Sequence, residues 1–236
     1  MIHSIPVAPR RKDETLQEWT YQQLRFALLI GAFAPGVSVT MRGLAKMLDV
    51  SLMPVREALR RLVAEQALHL LPTRRVTVPA MTTARFEELC ATRISLECLA
   101  AERAMLAVTA DDLADMQRVD ETMNAALAAG DVVESVVQNY RFHRHLYAAV
   151  RTQVLFPLIE NLWLQFGPFQ RAILERMGKE VRISHYVINR HTDILRALEQ
   201  RDAFALRVAV EADIRDGTVA LGRLGLGDTQ VSASPR

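Results

Sequence analysis

Apolar side chains near the start of the chain recur three or four positions apart, which is the spacing of an amphipathic helix. This pattern predicts a helix from Thr15 to about Ile30. Two more helices follow, each opened by a residue that favours the N-cap position. Thr40 opens a short helix, and Ser51 opens a longer one that tolerates Pro54 in its first turn. The third helix turns its apolar side chains inward and leaves arginines free to point outward.

Two short segments with strand-like composition come next, at residues 68–71 and 76–78. They flank the basic turn Pro-Thr-Arg-Arg at residues 72–75. The order of helix, short helix, tight turn, helix and hairpin with a basic tip is that of a winged helix-turn-helix. The sequence therefore predicts this fold for the first part of the chain.

From residue 82 onward the pattern is helical alone. The predicted helices are 83–107, 109–129, 132–150, 152–177, 180–200 and 202–224. We therefore expect a mainly α protein with four parts along the chain. These are a flexible arm at residues 1–12, the winged helix-turn-helix at 13–80, an all-α helical bundle at 81–224 and a loose tail at 225–236.

Composition excludes several classes of protein. Of 236 residues, 50% are apolar, 24% are charged and 6% are aromatic, the balance of a folded globular chain with about two compact units. No stretch approaches the ~20 apolar residues that span a bilayer, and the polar N-terminus has no apolar signal core. Two cysteines are too few for a zinc knuckle or a disulfide framework. We expect a cytoplasmic protein rather than a secreted or membrane one.

The small net charge of +2 hides an uneven distribution. Residues 1–80 carry 11 Lys and Arg against 6 Asp and Glu, whereas residues 81–236 carry 18 against 21. A basic first unit joined to a mildly acidic second unit indicates that the first unit faces a polyanion. Fluctuations of this size also occur in proteins that bind no nucleic acid, so the asymmetry is only a weak signal by itself.

Basic and polar residues of the first unit lie where a winged helix-turn-helix meets DNA. The N-terminal end of a recognition helix contacts base edges, and neighbouring groups bind phosphates. An arginine of this kind, taken singly, is more often a solvated surface charge, and only the joint arrangement favours double-stranded DNA. The candidate residues are Arg42, Ser51, Arg56, Arg60, Arg74 and Arg75.

Residues 21–68 resemble the DNA-binding domain of the GntR superfamily. The first helix ends in a G-x-x-x-P-G turn, and the motifs R-x-L-A-x-x-L-x-V-S and P-V-R-E-A-L-R-R-L follow. The resemblance implies a homodimeric transcription factor that binds a palindromic operator with one recognition helix per half-site. It also implies that Arg42, Ser51 and Arg56 contact the DNA.

The chain departs from the family pattern at two places. Leu52 and Met53 stand where the family usually has arginine and threonine. These apolar side chains can contact a thymine methyl group but cannot form a bidentate hydrogen bond with guanine, so we expect an operator unlike the family norm. Arg75 stands where the family prefers glycine at the wing tip, which costs backbone freedom and can add a phosphate or minor-groove contact.

The second unit resembles the FCD ligand-binding domain of FadR-type GntR regulators over most of residues 83–224. The markers are Arg93 with Glu97, the segment NYRFHRHLY at residues 139–147, and the segment at residues 190–214 that begins RHTDILRALEQ. The resemblance implies a helical bundle that encloses a central pocket.

Four residues of this unit are candidate metal ligands. Asn139 and His143 are four residues apart and share one helix face, and His191 and Asp213 lie on later helices that could meet them in a bundle core. Isolated histidines are more often surface residues or hydrogen-bonded core residues, so this pattern alone is weak. Many FCD domains carry Asp/His/His/His at these positions. The resemblance therefore implies a divalent transition metal, Zn²⁺ or Ni²⁺, with Asn139 and Asp213 as departures.

Arg93 is the candidate effector-binding residue. Its spacing to Glu97 also fits an ordinary surface ion pair on a helix. The resemblance implies instead that Arg93 faces the cavity, where a small carboxylate could bridge the guanidinium and the metal.

The sequence therefore predicts a metabolite-responsive transcriptional regulator, with a repressor favoured over an activator. One alternative is a metal-free regulator with a pocket for a larger effector such as acyl-CoA. The other is a metalloenzyme with a DNA-binding module. Since no HExxH, nucleophile elbow or phosphate loop is present, no catalytic residues are assigned and we expect no enzyme activity.

Overall fold

The computed structural model describes residues 7–176 and 190–223, with side chains to residue 216. Within them the chain is mainly α, as predicted. Its helices are α1 Leu16–Leu29, α2 Met41–Leu48, α3 Leu52–Ala64, α4 Thr83–Ala104, α5 Ala110–Ala129, α6 Val132–Ala148, α7 Leu155–Arg176, α8 Arg190–Glu199 and α9 Ala203–Arg223. Its strands are β1 Ser38–Thr40, β2 His69–Leu70 and β3 Arg75–Thr77. The first six residues of the predicted arm, the start of the helix predicted at 180–200 and the whole of the predicted tail lie outside the described residues.

The N-terminal helices form where their caps and periodicity predict. The Thr15 and Thr40 hydroxyls accept backbone hydrogen bonds from the third residue of α1 and α2, respectively. Ser51 occupies the N-cap of α3, although its side chain makes no capping hydrogen bond. α1 packs against α3 and α2 packs against α3. Their apolar faces form one core, with Leu24, Leu44 and Leu62 fully buried.

The wing contains a third strand that the sequence analysis did not predict. β1 pairs antiparallel with β3, with Ser38 opposite Thr77 and Thr40 opposite Arg75, and the strand order is β1-β3-β2. The expectation for the wing tip also needs correction. Arg74 is the residue in the left-handed region, with φ of 59°, whereas Arg75 is the first residue of β3. The conformational cost that glycine would avoid therefore falls on Arg74.

The second half of the described chain is all helical, as predicted, and two predicted helices are too long at their C-terminal ends. α4 ends at Ala104 rather than residue 107, and α6 ends at Ala148 rather than residue 150. The start of α5 is fixed by a capping box between Thr109 and Asp112, and Gly130 ends it with a positive φ of 79°. In the bundle, α5 packs on α6, and α9 packs on both α4 and α8. No helix in the described ranges is both long and apolar enough to cross a membrane.

The two halves meet where α1 packs against α7. A Cβ atom at Gly167 would lie only 2.5 Å from the Leu29 carbonyl oxygen, so the close approach of these helices requires a glycine. Beside this contact, Arg25 of α1 forms a salt bridge of 3.0 Å with Glu160 of α7. The helix-turn-helix is thereby attached to the same helix, α7, that supplies Trp163 to the interior of the bundle.

Candidate functional site

Three side chains from three helices converge inside the bundle. His143 lies on α6, His191 on α8 and Asp213 on α9. His143 Nε2 lies 3.3 Å from His191 Nε2 and 3.3 Å from Asp213 Oδ2, and the three possible ligand atoms lie within 4.8 Å of one another. Both histidines are buried, and the Asp213 side chain is 24% exposed. The structure thus brings together three of the four predicted metal ligands.

This spacing fits a divalent ion. Two ligands of a tetrahedral zinc ion, each bound at about 2.0–2.1 Å, lie roughly 3.3 Å apart. The two distances from His143 Nε2 match that value. Two imidazoles and one carboxylate also form a chemically suitable donor set for Zn²⁺ or Ni²⁺ and leave a coordination position for another ligand.

Asn139 is the fourth predicted ligand. It lies one turn before His143 on α6 and is half-buried. The cluster of possible ligand atoms described above consists of His143, His191 and Asp213 and does not include Asn139. A role for Asn139 in binding therefore stays a prediction.

The electrostatics of the cluster keep Asp213 ionised. Burial, the largest single influence, would raise the pKa of this carboxyl group. The hydrogen bond with His143 and the nearby charges of His143, His191 and Arg93 together outweigh burial and lower the pKa of Asp213 to about 2. Asp213 is therefore a carboxylate at neutral pH, which is the form that binds a metal ion.

Asp120 is a member of this site that the sequence analysis missed. Its Oδ1 atom lies 2.8 Å from His191 Nδ1, on the opposite side of the imidazole from His143. Asp120 belongs to the buried stripe of α5 with Met116 and Met123. An acidic residue within an apolar stripe is the sequence signal that could have identified it, because buried carboxylates are almost always paired.

The predicted effector residue Arg93 is buried rather than part of a surface ion pair. Its Nε atom donates to Glu97 Oε1 at 2.8 Å, and Trp163 Nε1 donates to the same oxygen at 2.9 Å. The guanidinium carbon also lies 4.4 Å from the centre of the Phe166 ring. Burial alone would lower the pKa of Arg93, but Glu97 raises it, so the guanidinium stays charged. Glu97 therefore neutralises much of the charge that an anionic effector would meet.

Tyr147 connects this ion pair with the metal-ligand cluster. It lies one turn after His143, and their ring centres are 5.9 Å apart. Burial, together with the charges of Glu97 and Asp213, raises the pKa of Tyr147 well above its usual value. Within the described residues, Tyr147 Oη, Glu97 Oε2 and His143 Nδ1 are buried without a hydrogen-bond partner. Because an unpaired buried polar atom costs about 1–3 kcal/mol, these three atoms are places where a bound ligand or water would be stabilised.

A second candidate surface is the outer face of α3. Leu52 and Met53 are 47% and 53% exposed at its N-terminal end. The side chains of Arg56 and Arg60 are also exposed, and both lie within 4 Å of a Glu57 carboxylate oxygen. Such exposed pairs are weak, so both arginines can exchange Glu57 for a phosphate or a base.

The remaining DNA-binding candidates are all exposed but differ in the hydrogen bonds that their side chains already make. Arg42 and Ser51 are exposed on α2 and at the start of α3. Arg74 is exposed at the turn of the wing. Arg75, in contrast, donates from Nε and Nη2 to the hydroxyl and carbonyl oxygens of Ser38. These two hydrogen bonds join β3 to β1 and hold the Arg75 side chain against β1, while the other guanidinium N–H groups stay available.

Comparisons with known protein families match both halves of the chain. The family described as bacterial regulatory proteins, gntR family, matches residues 16–78. The FCD domain family matches residues 88–216, which is more than half of the chain.

Individual relatives give the same result. The chain is 30% identical to the HTH-type transcriptional regulator McbR of Escherichia coli K12, over 92% of this chain and 97% of McbR. It is 22% identical to the HTH-type transcriptional repressor RspR of the same strain, over 86% of this chain and 87% of RspR. The solved structure of E. coli McbR/YncC superposes with a TM-score of 0.83 at 29% identity, covering 89% of this chain and 99% of that one.

Proposed function

The chain belongs to the GntR family of bacterial transcriptional regulators and carries an FCD domain, and from this premise we propose that it is a metabolite-responsive repressor. Regulators of this family bind DNA through the winged helix-turn-helix and a small-molecule effector through the FCD domain. The observation that carries the proposal is the pairing of an exposed, basic recognition helix with a buried His-His-Asp cluster in one chain.

On DNA, the protein acts as a homodimer at a palindromic operator. Leu52 and Met53 contact thymine methyl groups, Arg56 and Arg60 bind bases or phosphates, and Arg42 anchors the backbone. A selection from random duplexes, followed by fluorescence anisotropy on the enriched sequence, tests this proposal. We expect a palindrome bound by two chains, with affinity that falls as salt rises. Enrichment of no duplex, or a stoichiometry of one chain per site, would contradict it.

In the FCD domain, His143, His191 and Asp213 hold Zn²⁺ or Ni²⁺, with Asn139 as the fourth protein ligand. A bound divalent ion supplies positive charge that attracts a carboxylate. Because Glu97 already neutralises much of the Arg93 charge, such a positive centre is needed for a small anionic effector. Effector binding then changes the affinity for DNA by favouring one arrangement of the two winged helix-turn-helix domains of the dimer.

Metal content of the untagged protein, purified without chelator, tests the FCD part. We expect about one Zn or Ni per chain, lost in His143→Ala and kept in His145→Ala, because His145 lies on the exposed side of the same helix. If neither wild type nor His145→Ala holds metal even after loading, the proposed metal site is wrong. A pocket for a larger, metal-independent effector such as acyl-CoA then becomes the better explanation.

A further inference from the structure

We propose that Asp120 is a positioning residue of the metal centre, which holds His191 in the tautomer and ring orientation that present Nε2 to the ion. The inference rests on the proposed metal site, and it concerns a residue that coordinates nothing itself. Asp120 lies on α5, whereas the three grouped ligands come from α6, α8 and α9.

The geometry at His191 defines the tautomer. Asp120 Oδ1 lies 2.8 Å from His191 Nδ1, and both residues are buried. Because a carboxylate oxygen accepts, a hydrogen bond at this distance places a proton on His191 Nδ1. The lone pair then lies on Nε2, which is the atom 3.3 Å from His143 Nε2. Hydrogen bonding of this kind raises the basicity of a ligating imidazole and fixes its direction.

The carboxylate and the imidazole are both fixed by further contacts. Asn124, one turn along α5, donates from Nδ2 to Asp120 Oδ2 at 3.1 Å, so each carboxylate oxygen has a partner. The Phe142 ring stacks on His191 with a centroid distance of 3.8 Å and an interplanar angle of 6°. His191 is therefore held at its edge by Asp120 and on its face by Phe142.

The two histidines differ in this respect. Among the described residues, His143 Nδ1 is buried without a hydrogen-bond partner. Within residues 7–176 and 190–216, His191 therefore has a carboxylate on the far side of its ring whereas His143 has none, and His191 is the better preorganised of the two ligands.

The charge of the cluster supports the same role. Arg93 and Glu97 neutralise each other in a buried pair. Asp213 and Asp120 then place two carboxyl groups against the two imidazoles, one beside His143 and one beside His191. Placing carboxylates in a protein interior is costly unless they are paired. Asp120 thus adds attraction for the cation as well as orienting its ligand.

The test is the Zn²⁺ affinity of the full chain, measured by competition with a chromogenic chelator, for wild type, Asp120→Asn and Glu121→Gln. Asp120→Asn keeps the shape and one acceptor oxygen but removes the charge. Glu121→Gln is the matched control, because it removes a carboxylate from the adjacent, exposed position of the same helix. We expect affinity to fall about 10–100-fold in Asp120→Asn and to stay unchanged in Glu121→Gln.

A spectroscopic readout separates positioning from stability. In the metal-free chain labelled with ¹⁵N-histidine, we expect wild-type His191 to be protonated on Nδ1 and the Asp120→Asn variant to show a mixture of tautomers, because an amide can either donate or accept. Equal melting temperatures of the two proteins would exclude a merely structural effect. If Asp120→Asn does not fold, Asp120→Glu takes its place, and a displaced carboxylate is expected to weaken Zn²⁺ binding.

The outcomes distinguish this inference from the proposed function. Wild type that binds Zn²⁺ with the same affinity as a folded Asp120 variant overturns the role of Asp120 and leaves the metal site standing. Wild type that binds no Zn²⁺ overturns the metal site and the role of Asp120 together. A wild-type His191 protonated on Nε2 also contradicts the inference.

Discussion

Replacing Gly167 by alanine should weaken the attachment of the helix-turn-helix to the bundle. Gly167 lies within α7 against the C-terminal end of α1, and an added Cβ would lie 2.5 Å from the Leu29 carbonyl oxygen and 2.6 Å from that of Leu28. Favourable contacts of a carbon atom begin only near 3.5 Å. Because both oxygens belong to helix backbone, they cannot rotate away, and α1 must move by roughly 1 Å to admit the methyl group.

The magnitude follows from two opposing effects. Glycine to alanine inside a helix stabilises by about 1 kcal/mol through backbone conformational entropy. Overpacking costs about 1–3 kcal/mol, and the rigid neighbours place this site at the upper end of that range. We therefore expect a net loss of about 2 kcal/mol in the free energy of unfolding. For a chain of this size that corresponds to a fall in melting temperature of about 4–8 °C.

Thermal unfolding followed by circular dichroism compares wild type, Gly167→Ala and the control Gly43→Ala. Gly43 is also helical, but a Cβ there would meet only the Thr40 hydroxyl, at 3.1 Å. We expect the control to stay within about 1 kcal/mol of wild type, since helix propensity favours the change. Helix propensity alone would make Gly167→Ala more stable, and only the steric clash would make it less stable. A Gly167→Ala protein that is at least as stable as wild type would therefore refute the close packing of α1 on α7.

Three further predictions concern the DNA surface and the buried charges. Arg56→Ala should weaken DNA binding in anisotropy titrations and, if Arg56 contacts a phosphate, reduce the slope of log affinity against log salt concentration by about 1. The Arg61 guanidinium binds Glu18, so Arg61→Ala should leave that slope unchanged. Because the folded pKa of Asp213 is about 2, below its usual 3.8, its contribution to stability is complete above pH 4 and is lost as pH falls towards 2. Urea unfolding at a series of pH values should show that Asp213→Asn removes roughly 2 kcal/mol of the pH-dependent free energy of unfolding. An unchanged pH dependence in the variant would contradict this prediction. Arg93→Ala should cost about 3–5 kcal/mol in urea unfolding because it leaves Glu97 as a buried charge without its partner, and a loss below 1 kcal/mol would show that Glu97 is solvated.

Much of this protein follows from local sequence. Helical periodicity and the caps at Thr15 and Thr40 predicted the N-terminal helices, and the hydroxyls make the capping bonds in the structure. These features depend on residues within a few positions of one another. The predicted ligands His143, His191 and Asp213 also lie together in the structure, although this prediction rests mainly on a family resemblance rather than on local pattern.

Only the tertiary structure shows contacts between distant segments. Asp120 lies 71 residues before the imidazole that it contacts, and Ser38 lies 37 residues before Arg75. The fit of Gly167 against α1 likewise depends on two helices from different halves of the chain. Periodicity indicates which face of a helix is buried, but it carries no information on which other helix covers that face. The sequence by itself therefore determined the helices and the winged helix-turn-helix, whereas packing decided the partners of the buried charges and the attachment of the helix-turn-helix to the bundle.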